Sequence, residues 1–395
     1  MWRLGDMGIG GRTVLGPMSG FTSAAYRDFM KPFGAAVCVT EMTSAQGVIH
    51  GHSRTAAYLD FGRNYPTGLQ LFGHDPEILA QAAAAAVKMN PNIDFIDLNM
   101  GCPVPKVVRN GAGSVLIKDP AKCGEIVRRV RVAVDVPVTA KIRLGWTPAT
   151  VNFREVIAEL TAAGIDAVAV HVRTRDQRYA GEPRYDLVPD LQREMSVPLI
   201  ISGNIYTVAD AVRAVGITGA AAVMVARGGV GDPFLLTQIE RYFRDGTVLP
   251  NPTVREQTEW CLELADMILA ERGEDAGIRR LRTLAPHFVA GCRRSREYRN
   301  RLATETDSRA DLAALLDEIS AEDGGERIYT EGRPDPVAEV RKARTVRPPE
   351  HASDLAGQRR GLSVLGQYGL RDHRRGHGTD RAAEVQFFHN GTHSL

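Results

Sequence analysis

No stretch of this chain approaches the roughly 18 consecutive apolar residues that a membrane helix requires, although apolar residues make up 44% of it. The N-terminus lacks an apolar run closed by small residues, so no secretory signal is read there. Cysteine is scarce: the five residues (Cys38, Cys102, Cys123, Cys261, Cys292) are odd in number, widely scattered and never arranged as C-x-x-C. That pattern argues against a disulfide framework and against the usual zinc spacings, and no metal site is expected. The chain reads as a soluble, cytoplasmic protein without membrane contact. Net charge is small as well, at +2, so the overall balance names no partner. Nothing implies a stable protein partner.

The distribution of charge says more than its sum. Arg279, Arg280, Arg282, Arg293, Arg294, Arg296, Arg299 and Arg301 crowd into 23 residues that hold a single acid, Glu297. A nucleic-acid backbone would be drawn to such a segment, and a solvated arginine-rich helix face would look the same.

At 395 residues the chain exceeds one ordinary domain, which predicts a large domain followed by a smaller one. Short apolar, β-branched runs recur at Thr13–Pro17, Ala36–Thr40, Thr67–Leu71, Phe95–Asn99, Val136–Arg143, Ala167–Arg173, Pro198–Asn204 and Ala221–Arg227. Segments of helical spacing separate them, among them Pro76–Lys88 and Phe153–Ala163, the latter closed by Gly164. Eight strands alternating with helices over residues 1–250 match the size of a (β/α)8 (TIM) barrel of the α/β class. A doubly wound sheet competes, but no G-x-G-x-x-G follows the first run. Residues 251–320 change to a purely helical period (Trp260, Leu262, Leu264, Met267, Ile268; Leu312, Leu315, Leu316, Ile319), predicting a small helical domain. Residues 321–395 carry ten glycines and five of the ten histidines without a sustained apolar period. Too little apolar surface is available there to offset ordering entropy, and a low-order tail is expected.

A (β/α)8 barrel keeps its chemistry at the C-terminal ends of its strands. There this chain places Pro17-Met18-Ser19, Glu41, Gln70, Asn99, Lys141 with Arg143, His171 with Arg173, Ser202-Gly203-Asn204 and Ala226-Arg227-Gly228. Glycines after strands seven and eight let backbone N–H groups approach a phosphate, and they also serve ordinary tight turns. Lys141 could form a Schiff base, or could place a cation beside an electron-rich ring such as a reduced flavin. The sharpest element is Asn99-Met100-Gly101-Cys102-Pro103. Cys102 follows a buried strand between two conformational punctuators. A thiol of ordinary pKa, about 8.5, is protonated at neutral pH and suits a proton donor to carbon better than a resting nucleophile. Burial as a small hydrophobe, the common fate of a free cysteine, fits Cys38, Cys123 and Cys261 better.

Taken together the motifs resemble the FMN-dependent bacterial tRNA-dihydrouridine synthases. The resemblance rests on V-L-G-P-M-S-G (14–20), T-E-M (40–42), Q-L-F-G (70–73), D-L-N-M-G-C-P (97–103), G-A-G-S-V-L (111–116), V-T-A-K-I-R-L-G-W (138–146), H-V-R-T-R (171–175) and S-G-N-I (202–205). It runs in order from about residue 12 to 320. It implies an FMN-binding barrel, a helical domain that grips tRNA, and NADPH (or NADH) as a transient reductant. By position it implies that Pro17, Met18 and Ser19 line the flavin ring and that Gln70, Lys141 and His171 bind its polar edge. Ser202, Gly203, Asn204, Ala226 and Arg227 hold the phosphate end, Asn99 orients the uracil, Arg173 contacts the substrate nucleotide, and Cys102 is the catalytic acid. The implied reaction adds hydride at C6 and a proton at C5 of a uridine drawn out of the folded RNA. Three positions depart from the family pattern: Ser202-Gly203-Asn204 replaces N-G-D/E, Ala226 replaces a glycine, and Val172 replaces the glycine of H-G-R-T-R. The helical segment reads L-A-P-H-F-V-A-G (284–291) where the family has aromatic-rich K-H-x-x-W-Y. A barrel reductase of a small molecule, and a non-catalytic RNA-binding relative, are the alternative readings.

Overall fold

The computed structural model describes residues 1–51, 61, 66–328 and 340. Eight parallel strands close on themselves: β1 (Thr13–Leu15), β2 (Val37–Val39), β3 (Thr67–Phe72), β4 (Phe95–Met100), β5 (Val138–Arg143), β6 (Ala167–His171), β7 (Leu199–Ser202) and β8 (Ala222–Val225). Closure comes from Val223 pairing with Thr13 across β8 and β1, and from Cys38 pairing with Thr67 across β2 and β3. The expected (β/α)8 barrel is therefore present, and each strand lies within or beside its expected run.

Period-two alternation along the strands sorts residues to the two faces. Val14, Val37, Val39, Phe95, Ala169, Ile200 and Met224 fill the interior as a cluster separate from the outer core. Gly68 makes room for Phe95, because a Cβ on Gly68 would lie 2.1 Å from the Phe95 ring. An antiparallel hairpin, Trp2–Leu4 with Met7–Ile9, adds Trp2, Leu4 and Ile9 to this interior cluster. Gly5 at its turn packs against Pro137, just before β5. The hairpin thus plugs the end where strands begin and leaves the opposite end as the mouth.

Helices cover the outside. Those used below are α1 (Ala24–Met30), α2 (Pro76–Met89), α3 (Pro120–Ala133), α4 (Phe153–Ala162), α5 (Val208–Thr218) and α6 (Phe234–Asp245). Their ends follow local chemistry: Asp75 accepts from Ile78 N at 2.9 Å to start α2, Thr207 and Asp210 form a capping box on α5, and Gly164 (φ +87°) terminates α4.

Four further helices follow: α7 (Val254–Arg272), α8 (Glu274–Phe288), α9 (Ser295–Thr304) and α10 (Arg309–Asp323). α7 packs on α1, and the helices and barrel belong to one compact unit. Beyond α10, Ile328 N donates to Pro252 O at 3.1 Å, and Asn251 Nδ2 donates to Ile328 O at 3.0 Å. Val340 is buried. The rest of the expected tail lies outside the described residues. Among the described residues no helix is long and apolar enough to cross a membrane.

Candidate functional site

Alternation along β4 points Asp97 and Asn99 into the barrel, Asp97 one layer below the mouth. Asp97 is buried and accepts from two side chains, Gln70 Nε2 at 2.6 Å and Thr139 Oγ1 at 2.6 Å. With its NH2 committed to Asp97, Gln70 turns its Oε1 toward Asn99, whose Nδ2 donates to it at 2.7 Å. Asn99 Oδ1 is then directed at the backbone, accepting from Gly101 N at 3.2 Å and Cys102 N at 2.9 Å. One carboxylate, acting only as acceptor, thus sets the orientation of two amides and, through them, of the cysteine loop. Burial pushes the Asp97 carboxyl up, against the two hydrogen bonds and the Lys141 charge.

Cys102 is half-buried. Its carbonyl accepts from Ser114 N at 3.0 Å. Gly113, with φ +67°, approaches so closely that a Cβ would meet that oxygen at 2.8 Å. Burial raises the thiol pKa above its ordinary value, opposed by the Val104 N–H and by the charges of Arg143 and Lys141. The group is a thiol at neutral pH, with cations near enough to stabilise a thiolate once the proton has left.

Cations crowd the mouth. The Lys141 ammonium makes no hydrogen bond or ion pair among the described residues, and burial followed by repulsion from Arg143 pushes its pKa down to about 8. Arg143 donates to Gly101 O at 2.8 Å, Thr174 O at 2.9 Å and Arg178 O at 2.8 Å, fixing the cysteine loop to the loop after β6. His171 is pushed well below its ordinary pKa by burial and then by Lys141, Arg143, Arg173 and Arg227. It is a neutral imidazole, and its Nε2 faces Arg173 Nη1 at 3.4 Å. Arg173 sits inside this cluster but is buried. Its remaining donors hold Gly181 O (2.6 Å), Ala180 O (3.2 Å) and Asn204 Oδ1 (3.0 Å). Those bonds pin the loop bearing Tyr179, whose ring lies 5.4 Å from the Arg143 guanidinium and 5.1 Å from that of Arg227.

The ends of β7 and β8 form a glycine cradle. Gly203 has φ +143°, and a Cβ there would meet Val172 Cγ2 at 2.7 Å. A Cβ on Gly228 would lie 2.0 Å from Ile205 O. The N–H groups of Gly203, Asn204, Arg227 and Gly228 find no acceptor among the described residues. Arg227 is exposed beside them. Free amides, a nearby guanidinium and backbone too close for side chains are the kind of donors that an anion such as a phosphate would use. Next to the end of β8, with which β1 pairs, Pro17, Met18 and Ser19 lie on the loop between β1 and α1, held by Met18 N to Thr22 Oγ1 at 3.0 Å and Phe21 N to Met18 O at 2.8 Å. An FMN would meet cations and free amides suited to its phosphate, with the Lys141 ammonium available to its ring edge, so the residues present fit the group.

All the residues anticipated from strand ends converge on this one mouth. Asp97, which organises the amides, is hidden from sequence reasoning inside an apolar run, although its two-residue spacing from Asn99 is a usable signal. Tyr179 carries none, being a lone loop aromatic.

Seven of the eight clustered arginines fall into two groups, and the eighth, Arg280, packs over the Phe21 ring. Arg282 pairs with Asp307, Arg294 with Glu297 and Glu322, and Arg301 with Glu305 and Glu318. Arg279, Arg293, Arg296 and Arg299 are exposed and make no ion pair among the described residues.

Comparison with known proteins places this geometry in context. The family model described as "Dihydrouridine synthase (Dus)" matches residues 14–322. The tRNA-dihydrouridine synthase B of Pseudomonas aeruginosa is 35% identical over 315 residues, covering 79% of this chain and 94% of the relative. The enzyme of that name from Pseudomonas putida is 34% identical over 312 residues, covering 79% and 92%. A probable tRNA-dihydrouridine synthase 1 from Synechocystis is 35% identical over 273 residues, covering 69% and 76%.

Proposed function

Because the chain belongs to the dihydrouridine synthase family, we propose that it reduces the C5–C6 double bond of specific uridines in tRNA, using FMN and a nicotinamide reductant (NADPH or NADH). The observation that carries this reading is the Cys102 thiol, protonated by its burial and fixed through Asn99 at the mouth of a cation-lined barrel. The cytoplasm, where tRNA is processed, is the proposed location.

Reduction requires hydride at C6 and a proton at C5, and a flavin, when bound, supplies the hydride. Cys102 supplies the proton to C5, and Lys141 and Arg143 lower the cost of the thiolate that remains. The thiol then recovers a proton from solvent at the mouth. Asn99 keeps a second Nδ2 hydrogen, which faces Met42 Sδ at 3.7 Å. A uracil carbonyl is the stronger acceptor and would displace that interaction. Ser202, Gly203, Asn204, Ala226 and Arg227 hold the phosphate end, Gln70 and the neutral His171 lie at the ring's polar edge, and Arg173 shapes the nucleotide's wall alongside them. Arg279, Arg293, Arg296 and Arg299 meet the RNA backbone. The target uridine must leave its stack to reach the mouth.

The decisive experiment follows the visible spectrum anaerobically while NADPH and then unmodified tRNA are added. Flavin bands bleached by NADPH and restored by tRNA, but not by free uridine, support the whole reading. Bleaching without recovery on tRNA would make this a small-molecule reductase, and a protein unable to take up FMN would overturn the cofactor.

A further inference from the structure

The loop Pro17–Ser23, which bears the proposed flavin wall, is gripped from two directions. From the barrel, the buried Glu41 accepts the Gly20 N–H at 2.6 Å. From the helical layer, Glu271 of α7 accepts the Ala25 N–H in the first turn of α1 at 2.9 Å. Arg280 of α8 completes the grip by laying its guanidinium over the Phe21 ring, 4.3 Å from the centroid. A Cβ on Gly20 (φ +77°) would stand 3.7 Å from Arg280 Nη1, so the loop backbone runs directly beneath this side chain. Arg280 Nη2 is buried without a hydrogen-bond partner among the described residues.

A guanidinium with an unsatisfied buried donor is a poor choice for stability alone, since an apolar side chain would pack against Phe21 without that penalty. Its charge has a use at the loop. Burial drives the Glu41 carboxyl upward, and after the Gly20 N–H the Arg280 charge is the first influence that opposes this. An ionised Glu41 holds Gly20 N–H more strongly than a neutral one. The adjacent residue on α8, Arg279, is exposed and makes no ion pair among the described residues, so one helix carries a solvent-facing cation, proposed above to meet RNA, and the loop's anchor side by side.

We infer that Arg280 is a positioning residue through which the helical layer sets the place of the Pro17–Ser19 wall, an inference that rests on the flavin and tRNA reading above. Engagement of RNA by α8 is transmitted to the flavin face by this side chain, without Arg280 touching substrate.

The test compares Arg280→Met, Arg280→Lys and Arg279→Gln in the flavin-loaded full chain. Amide hydrogen exchange is read over residues 17–24, and kcat and KM are read with tRNA. Arg280→Met should speed exchange at Gly20 and Phe21 by roughly tenfold or more. It should lower kcat by about 10- to 100-fold while KM changes by less than about threefold. Arg280→Lys, keeping the charge near Glu41, should recover part of both. Arg279→Gln should raise KM and leave loop exchange unaltered. Wild-type exchange in Arg280→Met, or a rise in KM alone like that of Arg279→Gln, overturns the inference. A wild-type protein that takes up no flavin instead overturns the underlying reading, and the exchange measurement still reports whether Arg280 anchors the loop.

Discussion

Asn99 Oδ1 and the Cys102 backbone N–H meet at 2.9 Å, and this bond ties the proposed acid to an amide chain rooted in the buried Asp97. The thiol and its support therefore separate experimentally. Cys102→Ala removes the proton donor alone and should lower turnover on tRNA by about 10²- to 10⁴-fold, with flavin reduction by NADPH intact. Asn99→Ala releases the loop as well and should weaken both turnover and uridine binding. Single-turnover kinetics of the two half-reactions distinguish them; equal loss of both steps in Cys102→Ala would remove Cys102 from the acid role.

The state of that thiol sets a pH limb. Burial raises the Cys102 pKa above its ordinary value, against the Val104 N–H, Arg143 and Lys141. In the proposed reaction the protonated form is the active one, so the tRNA half-reaction should be level through neutral pH and fall on the alkaline side as the thiol ionises. His171, held neutral by burial and its cationic neighbours, should contribute no acid limb between about pH 6 and 8. A rate that instead rises with alkaline pH would identify the thiolate as the working form.

Lys141 opposes stability and function to each other. Burial and Arg143 push its pKa down to about 8, below the unfolded value of about 10.4. Between those values the unfolded chain binds more protons at this side chain, so the stability that Lys141 itself costs the flavin-free protein should diminish as pH rises from about 8 to about 10, read as a narrowing difference between wild type and Lys141→Met. Lys141→Met removes the penalised charge and should raise the Tm of the flavin-free protein by a few degrees. It should also weaken flavin binding by roughly tenfold or more, because the ring edge loses its cation. Melting curves and FMN titrations of the same two proteins decide it.

Strand runs such as Phe95–Asn99 and Ala167–Arg173 were legible because fully buried parallel strands read as continuous apolar segments, and the observed β4 and β6 begin at the same residues. The strand-end polar residues were legible for the same topological reason. Three things were not. The hairpin that plugs the barrel consists of three-residue strands around Gly5 and Asp6, too short to show a period. The role of Asp97 depends on Gln70 and Thr139, which lie 27 and 42 residues away. The division of the arginine cluster depends on carboxylates beyond it, Asp307, Glu318 and Glu322, and no local spacing reports such pairing.

That division makes the two groups of arginines behave differently. Arg293, Arg296 and Arg299, exposed and unpaired, should each contribute to the salt dependence of tRNA binding. Changing one of them to glutamine should reduce the slope of log K against log salt by about 0.7 to 0.9 for each phosphate no longer neutralised. Arg301 is engaged by Glu305 and Glu318, so Arg301→Gln should leave the slope unchanged and lower the Tm slightly. Equal slopes in all variants would mean that the RNA backbone lies elsewhere.

Two glycines give a matched test of the phosphate cradle. Gly216 lies inside α5, and a Cβ there meets nothing within 4 Å. Gly216→Ala should stabilise the helix by about 0.5–1 kcal/mol and leave flavin content at the wild-type level. Gly228 faces the loop after β7, where a Cβ would sit 2.0 Å from Ile205 O. Backbone cannot yield there as a flexible side chain could, so Gly228→Ala must drive apart the two loops whose free amides, Gly203 and Asn204 on one and Arg227 and Gly228 on the other, converge. Purified Gly228→Ala should carry little flavin and need more than about tenfold higher FMN for saturation, while the barrel still unfolds cooperatively. Stoichiometric flavin in Gly228→Ala would show that the phosphate is held elsewhere on the mouth, where Lys141 and Arg143 are further cations to test.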